Sequence, residues 1–189
     1  MVAESAQAPG AEASPAVLER LRLRFQMLDT DGNGYLEGED FERLAAEILA
    51  AAGEPKGSRK GQAVLTGHRR YWEGLRAALD TDGDGRIDLR EYTARLGAAA
   101  EAREIVADYA QSLAALADRD DDGFIELDGF LICMTAIGFP RANSETLFKQ
   151  LDESGDGRVP VDVWAATIVD YYASPSGDIP VHGLTAPSR

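Results

Sequence analysis

A short acidic, glycine-closed pattern recurs along this chain, and its recurrence limits the possible folds more than any other feature. It opens at Asp29 as D-T-D-G-N-G, at Asp80 as D-T-D-G-D-G, at Asp118 as D-R-D-D-D-G and at Asp152 as D-E-S-G-D-G. The starts lie 51, 38 and 34 residues apart, and apolar residues at helical spacing precede and follow each copy. A repeated unit of this length is one supersecondary element that cannot bury its apolar face alone. Four helix-loop-helix units must therefore pair, and the apolar eighth residue of each loop is the natural point of contact. The predicted fold is all-α: two pairs of such units, with short antiparallel β contacts that place Leu36 opposite Ile87 and Ile125 opposite Val159.

The copy from Asp80 to Glu91, D-T-D-G-D-G-R-I-D-L-R-E, is the most complete. Carboxylates stand at places 1, 3 and 5 (Asp80, Asp82, Asp84), at 9 (Asp88) and at 12 (Glu91), with Gly85 at 6 to turn the chain. Calcium is a hard cation that takes about six to eight oxygens. Three short carboxylates, the Arg86 backbone carbonyl, a water on Asp88 and a bidentate Glu91 supply that number. A surface turn requires no such set at these spacings, so the pattern reads as a cation loop. The loop from Asp29 to Asp40 repeats it with Asp29, Asp31, Asn33, the Tyr35 carbonyl, Glu37 and Asp40. Aspartate at place 12 is one methylene shorter than glutamate, which predicts weaker calcium binding or better tolerance of six-coordinate magnesium. In the third loop, Asp118 to Gly129, place 12 has no side chain, so weak or no binding is expected. The fourth, Asp152 to Val163, carries Pro160 and Val163 at places 9 and 12 and reads as a loop that keeps its shape without a ligand.

Composition narrows the partners. With 33 acidic and 19 basic residues the net charge is -14, which disfavours a nucleic-acid backbone and favours cations. No run approaches the roughly 20 apolar residues of a membrane span. The first residues, MVAESAQAPGAEASPA, have neither a basic nor an apolar targeting segment, so the expected location is the cytoplasm. The lone Cys133 lies in the apolar run Leu131–Met134 and reads as a small buried residue.

Residues 1–14 lack an apolar stripe and read as a flexible tail. Residues 15–97 form the N-terminal pair, holding loops 29–40 and 80–91, and residues 101–173 the C-terminal pair, holding loops 118–129 and 152–163. Residues 174–189 form a second tail. Within this frame, 53–61 (GEPKGSRKG) reads as an inserted loop, the exit helix of the second loop runs to Leu96 and stops at Gly97, GAAAEAR reads as a linker, and Asn143-Ser144 as a helix cap. His68 has no nucleophile or partner base beside it and is assigned to a packed helix face. Trp72, Trp164, Tyr171 and Tyr172 fall at helical spacing and are assigned to the core rather than to a ligand cavity.

With D29-x-D31-x-N33-G34 and D80-x-D82-x-D84-G85 followed by Glu91, the chain resembles the EF-hand superfamily. The long first spacing and the C-terminal tail resemble, more narrowly, those of sarcoplasmic calcium-binding and calerythrin-type four-EF-hand proteins. The resemblance implies a compact fold, two or three bound calcium or magnesium ions, and a C-terminal segment, here Gly177 to Leu184, tucked against the interior. The expected function is that of an intracellular calcium buffer, monomeric and not an enzyme. The alternative is a sensor that regulates a protein partner through a calcium-dependent change of shape. Only Met27 and Met134 lie within the chain, too few to line the adaptable groove of a sensor, which favours the buffer.

Overall fold

Proline lacks a backbone N–H, and Pro15 stands where none is needed, at the first residue of α1 (Pro15–Leu28). The computed structural model describes residues 15–95 and 99–173, so the two tails, the end of the second loop's exit helix at Leu96–Gly97, and Gly177 to Leu184 lie outside the described residues. After α1 come β1 (Tyr35–Leu36), α2 (Gly38–Ala52), α3 (Arg59–Leu79), β2 (Ile87–Asp88), α4 (Leu89–Arg95) and α5 (Ala99–Ala117). The chain continues through β3 (Phe124–Glu126), α6 (Leu127–Ile137), α7 (Arg141–Leu151), β4 (Arg158–Pro160) and α8 (Val161–Ala173). None of the helices of the described residues is long and apolar enough to cross a membrane.

The strands pair as the repeats require. β1 and β2 run antiparallel with Leu36 opposite Ile87, and β3 and β4 antiparallel with Ile125 opposite Val159. All four of these side chains are fully buried, so each strand contact is sealed by its own apolar pair.

Three boundaries differ from the sequence reading. Gly53 ends α2 in the left-handed region (φ 67°), but the inserted segment is shorter than 53–61 because Ser58 caps α3, its hydroxyl accepting the Gly61 N–H at 2.9 Å. Gly61 lies so close to the Pro55 carbonyl that a Cβ there would collide with it. The expected linker GAAAEAR is helical from Ala99 onward, in line with the helix propensity of alanine and glutamate. Asn143 and Ser144 are inside α7 rather than before it; the Pro140 carbonyl accepts both of their N–H groups and the Ser144 hydroxyl.

The apolar faces of all eight helices of the described residues meet in one continuous core, to which both loop pairs contribute. α2 packs on α6 and α3 on α5, so the interfaces between the pairs are as intimate as those within them. Gly67 and Gly74 allow the α3–α5 approach, since a Cβ on Gly67 would strike Ser112 and one on Gly74 would strike Ile105. Around this crossing the rings of Tyr71, Tyr109 and Tyr172 pack together with centroids 5.1–5.8 Å apart, Tyr172 meeting the other two edge to face. Cys133 and the expected tryptophans and tyrosines are all buried.

Candidate metal centre

Each loop begins at a helix end. Asp29, Asp80, Asp118 and Asp152 all give their backbone N–H to a helix carbonyl four residues back, so their carboxylates project from the last helical turn into the loop. There each binds amides of its own loop. Asp29 accepts from Asn33 at 3.1 Å and Gly34 at 3.0 Å, and Asp80 from Gly83 at 2.8 Å and Gly85 at 3.1 Å. Gly34 and Gly85 hold φ of 87° and 84°, values that disfavour residues with a Cβ, and so aim their amides back at these carboxylates.

The first loop gathers Asp29, Asp31 and Asp40, and the second Asp80, Asp82 and Glu91, each set having one carboxylate oxygen per residue within 4.8 Å of the others. Oxygens that share an ion at 2.3–2.6 Å can stand no more than about 5 Å apart, so both sets fit a hard divalent cation. Asn33 and Asp84 occupy place 5, where their side-chain oxygens accept the Tyr35 and Arg86 N–H groups, both at 2.8 Å. Tyr35 starts β1 and Arg86 directly precedes β2, and the Arg86 guanidinium stacks over the Tyr35 ring at 4.4 Å. At place 9, Glu37 accepts from the Asn33 side chain at 3.0 Å, and Asp88 accepts the Glu91 N–H at 2.9 Å.

Place 12 is held from a direction that the sequence reading missed. Thr30 donates both its N–H (3.0 Å) and its hydroxyl (2.8 Å) to Asp40, and Thr81 does the same to Glu91 at 2.8 and 2.7 Å. The second carboxylate oxygen takes a third bond, from Glu37 N–H to Asp40 at 2.9 Å and from Asp88 N–H to Glu91 at 3.1 Å. The sequence does carry a signal for this, since both complete loops read D-T-D-G while the other two have Arg119 and Glu153 at place 2.

Local fields differ between the two loops. Burial pushes the Asp29 carboxyl above the usual range, the Gly34, Gly32 and Asn33 amides opposing and the Asp40 charge adding to the shift. The Thr81 amide and hydroxyl hold Glu91 below its usual value, and the Glu91 amide does the same for Asp88.

The third loop also brings Asp118, Asp120 and Asp122 within 4.8 Å of one another. Place 12 cannot contribute, because a Cβ on Gly129 would fall on the Ala117 carbonyl. Instead Lys60 of α3 donates to the Asp118 carbonyl and pairs with Asp121 at 2.8 Å, holding that non-glycine residue at a φ of 60°. In the fourth loop Asp152 accepts from the Gly155, Asp156 and Gly157 amides, and Val163 stands exposed where a ligand would be.

Comparison with known proteins agrees with this arrangement. The model of the EF-hand domain pair matches residues 18–96. A calcium-binding protein of Streptomyces coelicolor is 31% identical, with a TM-score of 0.74 over 85% of this chain and 99% of that one. Calerythrin of Saccharopolyspora erythraea is 27% identical over 160 residues, 82% of this chain and 90% of the relative. The amphioxus sarcoplasmic calcium-binding protein, at 15% identity, shares the fold with a TM-score of 0.68 over 93% of this chain and 100% of its own. Four helix-loop-helix repeats, two strand-paired sets of loops and two converging clusters of oxygen donors thus have a single description: this chain is an EF-hand calcium-binding protein.

Proposed function

We propose that this protein is an intracellular calcium buffer that takes up two ions in its N-terminal pair, residues 15–97, with residues 101–173 serving as scaffold. The proposed ligands are Asp29, Asp31, Asn33, the Tyr35 carbonyl and Asp40 in one loop, and Asp80, Asp82, Asp84, the Arg86 carbonyl and Glu91 in the other. Magnesium competes best at the loop closed by the shorter Asp40. The protein works as a monomer in the cytoplasm and catalyses nothing.

The observation that carries the buffering role is the covered interior. A sensor exposes a methionine-rich groove when it binds calcium. Here the helix faces that would line one are packed pair against pair through α2–α6 and α3–α5, and both Met27 and Met134 are buried. Titration with calcium is expected to give about two strong sites and little gain in 1-anilinonaphthalene-8-sulfonate fluorescence. A strong calcium-dependent rise of that signal would overturn buffering.

Regulation of a partner is the second reading. It is favoured by the Streptomyces coelicolor relative, which is described as a mediator of prokaryotic calcium-dependent regulation. Retention of a specific protein on the immobilised chain in calcium, and its release by chelator, would select this reading over the first.

A further inference from the structure

The two candidate sites are not equivalent, because a cation of the protein itself lies against two of the converging carboxylates of one of them. Arg43, one turn into α2, lies 3.9 Å from Asp31 and 3.7 Å from Asp40, two of the three converging carboxylates of the first loop. It also donates to the Thr30 hydroxyl at 2.8 Å, and that hydroxyl in turn donates to Asp40 at 2.8 Å. Its side chain is only 38% exposed and that of Asp40 2%, so the pair is partly shielded from water. In the second loop Arg86 pairs with the single place-5 carboxylate, Asp84, at 3.3 Å and Arg90 with Asp88 at 2.9 Å, so neither arginine lies against two ligands or against the converging Asp80, Asp82, Glu91 set.

The repeat provides an internal control. Arg43 is the fifteenth residue counted from the start of its loop, and the residue at the same place after Asp80 is Ala94, exposed on α4. The third and fourth loops have Ile132 and Ala166 there. The arginine is thus peculiar to the first repeat.

We propose that Arg43 sets the first loop to a lower calcium affinity than the second, by acting as a built-in counter-charge to Asp31 and Asp40. This rests on the two-site reading above. In the ion-free protein the guanidinium relieves the repulsion between the gathered carboxylates. When a divalent ion arrives, the same guanidinium repels it and must give up its interaction with two of the ligands. At separations of about 6 Å in a half-exposed setting, repulsion between one charge and two is worth about a three- to tenfold change in affinity, and it weakens as salt shortens the screening length. Combined with the short Asp40 side chain, this predicts ordered filling, second loop first, which widens the range of calcium concentration over which the protein takes up ions.

The test uses the full chain and reads each loop separately, through the Gly34 and Gly85 amide resonances in a titration with calcium chloride. Gly85 is expected to saturate before Gly34 in the natural sequence. Arg43→Gln should lower the Gly34 midpoint about three- to tenfold and leave Gly85 within about twofold, while Arg43→Lys, which keeps the charge, should stay near the natural midpoint. Ala94→Arg should raise the Gly85 midpoint by a similar factor, and both shifts should shrink between about 0.05 and 0.5 M salt. A Gly34 midpoint that is unchanged or raised in Arg43→Gln, with Gly34 still responding to calcium, overturns the role of Arg43 alone. A Gly34 signal silent in every variant overturns the first site itself, and the proposal with it.

Discussion

Glu91 closes the second loop with a carboxylate that accepts from the Thr81 amide and hydroxyl and from the Asp88 amide, which together fix the direction of its two oxygens. Glu91→Gln keeps the shape and removes the charge and one acceptor oxygen. It is expected to weaken the second loop by at least about tenfold, while the first loop changes far less; calorimetric titration beside Asp40→Ala, which should spare the second loop, checks both. Unchanged stoichiometry and affinity in Glu91→Gln would remove Glu91 from the site. The convergence of these carboxylates was legible because a loop of fixed length brings residues at fixed offsets together, and spacing is what a sequence displays. Thr30, Thr81 and Arg43 were not read, because their roles depend on how the first turn of the following helix folds back over the start of the loop. A lone arginine on a helix surface carries no periodic signature. Only the shared threonine at place 2 could have been noticed in advance.

At the scale of the helices, the third loop shows how packing between two helices bars a side chain from place 12. Gly129 brings the first turn of α6 against the end of α5 at the Ala117 carbonyl, where no side chain fits. Gly129→Glu, which restores the usual residue at place 12, is therefore expected to add no calcium site and to destabilise the fold by about 1–3 kcal/mol; unfolding in urea and calcium stoichiometry test both parts. Sequence could identify the missing carboxylate, but the carbonyl that forbids its return comes from another helix. The helix boundaries were misread for a related reason. Ser58 and Pro140 start α3 and α7 through hydrogen bonds that reach three and four residues onward, and Ala99 extends α5 where glycine and alanine had suggested a linker. The α3–α5 interface also holds a titratable group. His68 is buried, its Nδ1 lies 2.8 Å from the Val64 carbonyl, and burial lowers its pKa from 6.5 to about 4. The unfolded chain binds that proton more readily, so the stabilising contribution of the neutral ring is complete above pH 6.5 and is lost as the pH falls toward 4. Between pH 7 and 5 the calcium-free protein should lose about 2 kcal/mol through this group, and His68→Phe should lose correspondingly less over the same range in urea titrations.

At the scale of the whole molecule, the proposed division into a binding half and a scaffold half does not divide the core. Four repeats in two pairs leave one core or two lobes open, and α2–α6 and α3–α5 join the pairs, so that the buried apolar residues form one continuous cluster. That union was not legible in the repeats, because the apolar stripe of a helix shows that the helix is packed but not which partner it packs on. It has a thermodynamic consequence. Ions bound only in the N-terminal pair should stabilise the C-terminal pair as well, since neither pair can expose its inner face without opening the other. A site holding calcium at a hundred times its dissociation constant adds about 2.7 kcal/mol, so two sites add about 5 kcal/mol in the saturated protein. Two ions would also bring the charge from -14 to -10, which relieves self-repulsion in the compact state. Calorimetric melting is therefore expected to show one transition with and without calcium, moving up by several degrees when the ion is added, with Trp72 and Trp164, one in each pair, losing their native environment together. A calcium-shifted transition followed by a second one that ignores calcium would show that the pairs unfold separately, and would end the argument that the rear half holds the front half in place.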